Sequence, residues 1–149
     1  MFKKILVPLD GSELSESALT YLTEITTDCR ALDVILIRIH EPPDPNVIGT
    51  LDATIAVELD EAYRDEASRY LDTVVAALKE KGINARTEIM AGNPAEEILK
   101  YSQSNNVDLI IMSTRGRSGI SRWVFGSVAE KVIRNSTVPV LIKPPVTGK

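Results

Sequence analysis

Apolar residues arrive along this chain in five short runs, separated by stretches in which they recur every three or four positions. "KILVPL" (4–9), "VILIRI" (34–39), "INARTEIM" (83–90), "VDLIIM" (107–112) and "VPVLIK" (138–143) read as strands. Between the first two, Leu14, Ala18, Leu22 and Ile25 repeat at helical spacing, and Ser12 with Glu13 and Glu16 behind it marks the helix start. The proline-rich "EPPDPNVIG" reads as a loop. A long helix is expected from about Ala53 to Lys81, because Tyr63, Ala67, Tyr70, Leu71, Val74 and Leu78 share one face and Gly82 ends the pattern. In "GNPAEEIL", Asn93 caps the next helix, Pro94 takes its first position and Glu96 completes a capping box. A last helix runs from Ser127 to Asn135, and "PPVTGK" forms a loose tail.

Strict alternation of strand and helix implies an α/β fold with an open, parallel, five-stranded sheet and helices on both faces. "KILVPL" and "LIIM" are almost continuously apolar, as central strands buried on both faces must be. "ARTEI" alternates polar and apolar, as an edge strand does, and Pro139 assigns the fifth strand to the other edge. The order is therefore 3-2-1-4-5, with its switch point between strands one and four. Ligands of open α/β sheets bind beyond the carboxyl ends of the strands at such a crevice. That crevice brings Asp10, at the end of strand one, beside "STRGRSG", which follows strand four.

Composition narrows the function classes. The 149 residues, 44% of them hydrophobic and 26% charged, suit one domain spanning 1–149 with an ordinary globular core. A single cysteine, Cys29, excludes an internal disulfide and a cysteine-based zinc cluster, and its place late in a helical pattern reads as a buried thiol. The N-terminal apolar run is too short for a signal peptide and no stretch is long enough for a membrane span, so a cytoplasmic protein with no membrane partner is expected. A pI near 5.1 argues against a nucleic-acid partner. Charge is also unevenly spread. Residues 41–72 hold nine acids against Arg64 and Arg69, whereas 115–134 hold Arg115, Arg117, Arg122, Lys131 and Arg134 against Glu130 alone. A basic patch on an acidic chain points to a small anion.

"STRGRSGISRWVFGSVAEK" (113–131) carries that patch. As a phosphate cradle, its glycines let backbone amides approach an anion, the helix beginning at Ser127 adds N–H groups and a positive dipole end, and arginine adds charge-assisted bonds. The plainer alternative makes Ser127 and Glu130 a capping box and the glycines turn residues. Asp10 has two readings as well: a ligand to a divalent metal beside phosphates, or a turn aspartate before Gly11. Trp123 and Phe125 either stack on a base or pin the loop to the core. There is no G-x-x-x-x-G-K-[ST] loop, no dinucleotide fingerprint and no nucleophile elbow. His40, the only histidine, has no partners in sequence that would make it a hydrolase base.

"ILVPLDGSELS", "GNPAEEIL", "DLIIMSTRG" and "GRSGISRWVFGSVAEKVIRNSTVPVLIK", in that order, resemble the universal stress protein family from Lys3 to Lys143. The most specific piece is the family's nucleotide motif, G-x-x-G followed by nine residues and G-[ST]. Gly116, Gly126 and Ser127 match it, and Ser113 replaces its first glycine. The resemblance implies a Rossmann-like, adenine nucleotide hydrolase-like fold and an ATP-binding stress-response regulator that hydrolyses slowly at most. It implies that Pro8, Leu9 and Asp10 flank adenine and ribose, with Asp10 also near Mg2+ or Mn2+, and that the Ile39 backbone reads adenine. Met112 and Ser113 then end strand four against the nucleotide, while Gly116, Gly126, Ser127 and Val128 supply phosphate-binding amides. Arg117, together with Arg115, favours the nucleotide-binding reading, and Ser113 favours a nucleotide-free member acting through protein contacts. A homodimer joined along strand five, residues 138–143, is also implied, with Pro139 leaving a gap in the pairing.

Overall fold

The structure, a computed structural model, describes residues 2–26, 32–114 and 126–144. Its elements follow the chain as β1 (Lys4–Pro8), α1 (Glu13–Glu16), α2 (Ala18–Thr26), β2 (Asp33–His40), α3 (Pro45–Ile48), α4 (Ala53–Glu80), β3 (Ala85–Ala91), α5 (Pro94–Ser104), β4 (Leu109–Ser113), α6 (Ser127–Asn135) and β5 (Val140–Lys143). All neighbouring strands run parallel in the order β3-β2-β1-β4-β5, as the hydrophobic runs predict. Among the described residues no helix is long and apolar enough to cross a membrane.

Side-chain alternation divides the sheet into two apolar faces. Ile5, Val7, Val34, Leu36 and Ile111 point to one, where they meet Ala18 and Leu22 of α2 and Leu71, Val74 and Leu78 of α4. Leu6, Ile35, Ile37, Ile110 and Met112 point to the other, against Ala95 and Ile98 of α5 and Ala129 and Val132 of α6. Because β1, β2 and β4 are covered on both sides, their runs are almost wholly apolar, with Arg38 of β2 the exception. Each fully buried Ile or Leu contributes roughly 1.5–3 kcal/mol of transfer free energy, so these strands anchor the domain. Edge strand β3 has Arg86, Thr87 and Ala91 exposed and no fully buried residue, which accounts for its more polar sequence.

Local departures from the sequence pattern have local causes. The helix after Ser12 is broken in two at Ser17, whose hydroxyl donates to the Leu14 carbonyl at 2.6 Å and competes with the helical ladder. Part of "EPPDPNVIG" is a single helical turn, α3, because Asp44 accepts from the Asn46 amide and Pro45 occupies the first helical position. The fifth strand is shorter than predicted: Ser136 Oγ donates to the Val138 carbonyl at 2.7 Å and accepts from the Val138 amide at 3.2 Å, holding Val138 in a turn.

Pro139 plays a different part from the expected gap. The Ile110 amide donates to the Pro139 carbonyl and the Thr114 amide to the Lys143 carbonyl. Residues 139, 141 and 143 therefore turn their backbone groups to β4, and the missing N–H of Pro139 lies on that inner side. Val140 and Ile142 turn theirs outward, leaving the free edge intact.

Asp108, just before β4, ties the start of β1 in place: its Oδ2 accepts from the amides of Lys3 and Lys4, each at 2.9 Å. These two bonds hold its carboxyl below the usual carboxylate range. A depressed carboxylate stabilises the fold above the unfolded-state value of about 3.9 and loses that contribution as pH falls through the folded value. Asp108→Asn is expected to be less stable than the parent near neutrality and to converge with it at about pH 2. Urea unfolding at the two pH values measures this; an equal deficit at both would show that the charge is irrelevant.

Candidate functional site

At the carboxyl ends of β1, β2 and β4 the sheet opens into a cleft of about 750 Å³, within the range of small-molecule sites. The chain leaves β1 for β2 on one side, whereas β4 on the other side is reached from β3, so no connection covers the point between β1 and β4. Pro8, Leu9 and Asp10 enter the cleft from β1, Ile39 from β2, and Met112 and Ser113 from β4. Gly126, Ser127 and Val128 enter from the start of α6. Nine of the eleven residues expected from sequence thus line one cleft. The other two, Gly116 and Arg117, lie outside the described residues, as do Arg115, Arg122, Trp123, Phe125 and Cys29.

The floor is apolar, with Leu9 and Met112 almost fully buried. Over it, the Leu9 amide donates to the Ile37 carbonyl at 2.9 Å, after which the chain leaves the sheet. Backbone groups two residues apart on a strand face the same way, so the N–H and C=O of Ile39 face the place that β1 has vacated. This backbone pair suits the edge of a planar heterocycle.

Asp10 sits on the rim in a tight turn. One carboxylate oxygen, Oδ1, accepts from the amide and the hydroxyl of Ser12, and the Asp10 amide donates to Ser15 Oγ at 3.2 Å. The same Ser12 hydroxyl caps α1 by accepting from the Ser15 amide at 3.1 Å. The turn reading of Asp10 therefore holds, and its carboxylate stands in the cleft wall as well. Among the described residues no three His, Cys, Asp or Glu side chains gather as a metal centre.

Helix α6 begins differently from the sequence alternative. Its N-cap is Gly126, with no side-chain cap bond, so Ser127 is the first helical residue and the Ser127–Glu130 capping box does not form. Glu130 instead pairs with Arg134 at 2.9 Å. Gly126 has φ −60° and ψ 155°, a conformation open to any residue, so its backbone does not require glycine. Its want of a side chain leaves the first amides of α6 open to the cleft. By contrast, Asn93 does cap α5, accepting from the Glu96 amide at 3.2 Å.

Sequence reasoning missed two groups. Glu130, Lys131 and Arg134 also line the cleft. They follow Ser127 by three, four and seven positions, which is the helical signal that would have found them. The second is Arg38, buried beneath the rim. It grips Glu66 through both terminal nitrogens, at 3.2 and 3.0 Å, and lies 5.4 and 5.2 Å from the ring centres of Tyr63 and Tyr70. Tyr70 in turn donates to Glu16 at 2.8 Å, and burial, with Glu16 nearby, pushes its phenol well above the usual range. His40 is stacked on Tyr63, its ring centre 3.8 Å away, and so packs as part of this cluster.

Residues 1–144 match the universal stress protein family. Universal stress protein MJ0531 of Methanocaldococcus jannaschii is 34% identical over 95% of this chain and 82% of its own length. The solved structure of MJ0577, a universal stress protein of the same organism, superposes with a TM-score of 0.84 at 31% identity, covering 99% of both chains. The universal stress protein of Archaeoglobus fulgidus in complex with dAMP shares the fold, with a TM-score of 0.62 at 19% identity over 95% of this chain and 97% of that one.

Gly11 links the rim to the Arg38 cluster. Its φ is +88°, and a Cβ there would stand 3.2 Å from Arg38 Nη2. Gly82, at φ +78°, has open space where a Cβ would go. Gly82→Ala is expected to lose only the left-handed penalty, about 1 kcal/mol, and Gly11→Ala about 1 kcal/mol more. Chemical denaturation compares them; equal losses would mean that Arg38 does not buttress the turn.

Proposed function

The chain belongs to the universal stress protein family, and on that premise we propose that it is an ATP-binding regulatory protein, with the nucleotide held between β1 and β4. The observation that carries this reading is the convergence of residues from four separate segments on one cleft, apolar at its floor and rich in amides at one end. Adenine rests on Leu9, Ile39 and Met112, with the Ile39 backbone along its edge. The phosphates lie at the start of α6, where Gly126 leaves room and the Ser127 and Val128 amides donate. That the A. fulgidus protein of this fold is a dAMP complex is in keeping with a nucleotide ligand.

A divalent cation fits this cleft in one way. Asp10 offers a carboxylate at the rim, and no group of three or more His, Cys, Asp or Glu side chains gathers to hold a metal among the described residues. Mg2+ or Mn2+ would therefore be shared between Asp10 and the phosphates, as magnesium commonly is, and would neutralise phosphate charge there. In this reading hydrolysis is slow at most and binding is the function. Ser113, in place of the first motif glycine, favours a second reading, a nucleotide-free member that acts through protein contacts. We place the protein in the cytoplasm.

Calorimetric titration with ATP and magnesium distinguishes the two readings, and binding is expected. Gly126→Val should abolish it by blocking close approach to the phosphates, with about 1 kcal/mol lost in stability because valine is a poorer N-cap. A parent that gives no heat at millimolar ATP supports the nucleotide-free reading. A variant that binds like the parent overturns the phosphate placement.

We further propose a homodimer in which β5 pairs antiparallel with its copy through the outward groups of Val140 and Ile142, across a two-fold axis. Leu141 packs against one core and Ile142 against the other, so a charge introduced at either would test the fold before the interface, whereas proline keeps an apolar side chain. Ile142→Pro removes an outward amide and leaves the β4 ladder intact. Sedimentation is expected to show a dimeric parent and a monomeric variant with an unchanged circular dichroism spectrum. A monomeric parent, or a folded variant that remains dimeric, rules this interface out.

A further inference from the structure

The cations on α6 are not equivalent. Ser127, Lys131 and Arg134 lie on one helix face and all line the cleft. Arg134 is held by Glu130 at 2.9 Å, and that pair presents little net charge. Lys131 makes no ion pair among the described residues and is exposed, so its full charge is available.

Helix geometry decides where that charge falls. Side chains lean towards the N-terminus of their helix, so a residue covers the turn before its own Cα. For Lys131 this is the turn opened by Ser127 and Val128. Four residues of helix rise about 6 Å, a span that a lysine stem covers. A group seated on the first amides of α6 thus has the Lys131 ammonium beside it, on the cleft side.

We propose that Lys131 makes the cleft select nucleotides by the number of their phosphates, favouring di- and triphosphates over monophosphate or bare nucleoside. The inference rests on the nucleotide-binding reading above. Amides at a helix start satisfy one phosphate group, whereas a longer chain carries more charge than they offset. A flexible ammonium with three donors suits a phosphate chain whose oxygens it meets as a point charge. An adenosine moiety lying on Leu9, Ile39 and Met112 gains nothing from it.

The test compares the dissociation constants of adenosine, AMP, ADP and ATP, with magnesium, for the parent, Lys131→Met and Lys131→Arg. Thermal melting checks that both variants fold. Parent affinity is expected to rise with phosphate number. Lys131→Met should weaken ATP binding about tenfold, the scale of one charge-assisted hydrogen bond, and leave adenosine unchanged. Lys131→Arg should restore most of the ATP affinity, and the ATP difference should close in about 1 M salt. If the four ligands bind but Lys131→Met shifts them all equally, or none, the selectivity role is wrong while the nucleotide site stands. If none binds the parent, the nucleotide reading fails and this inference falls with it.

Discussion

One constraint organises this molecule: β1 is flanked by β2 on one side and β4 on the other, and both pairings are parallel. Parallel neighbours need crossover helices, and right-handed crossovers running in opposite directions along a sheet must cover opposite faces. The β1-to-β2 and β2-to-β3 crossovers put α2 and α4 on one face; the later ones put α5 and α6 on the other. Where the directions part, the sheet end stays uncovered. Cleft, double-sided core and apolar central strands are consequences of that single arrangement.

Rigidity at the cleft rim comes from below it. The turn at Asp10 and Gly11 has to reverse the chain without filling the opening, and it does so over a buried guanidinium. Arg38 is neutralised by Glu66 and enclosed by two tyrosine rings, so its position is set from three directions. A charge removed from water in this way is sustained only while its partner remains. Sheet, long helix and rim are thereby coupled through one side chain on β2.

The fold was legible because burial on two faces writes nearly continuous apolar runs into β1, β2 and β4, and because Asn93 with Pro94 and Ser12 with Glu13 announce their helices. The α1–α2 break was not, since a serine in mid-helix has no fixed consequence until its hydroxyl chooses the Leu14 carbonyl. Nor was α3, where an aspartate cap with Pro45 behind it starts a helical turn inside a proline-rich loop. In the site, topology brought Asp10 to Ser113 and Gly126 as the strand order required. Lys131 and Arg134 were legible as charge but not as lining, because which side of α6 meets the cleft is set by packing on the sheet and not by the motif itself. Arg38 was hidden by its strand: an arginine inside "VILIRI" reads as an interruption until the long helix supplies Glu66, Tyr63 and Tyr70 from twenty-five or more positions away.

The backbone at Gly126 has a consequence for how such proteins diverge. A glycine with positive φ is locked in by folding, and its loss is removed by selection on stability whatever the ligand does. Gly126 has negative φ and bounds the cleft only by lacking a side chain. One codon change there can close the opening while the sheet, both cores and the outer edge of β5 stay as they are. Descendants can therefore lose the opening and keep the scaffold in a single step, which makes open and closed forms of one architecture near neighbours in sequence space.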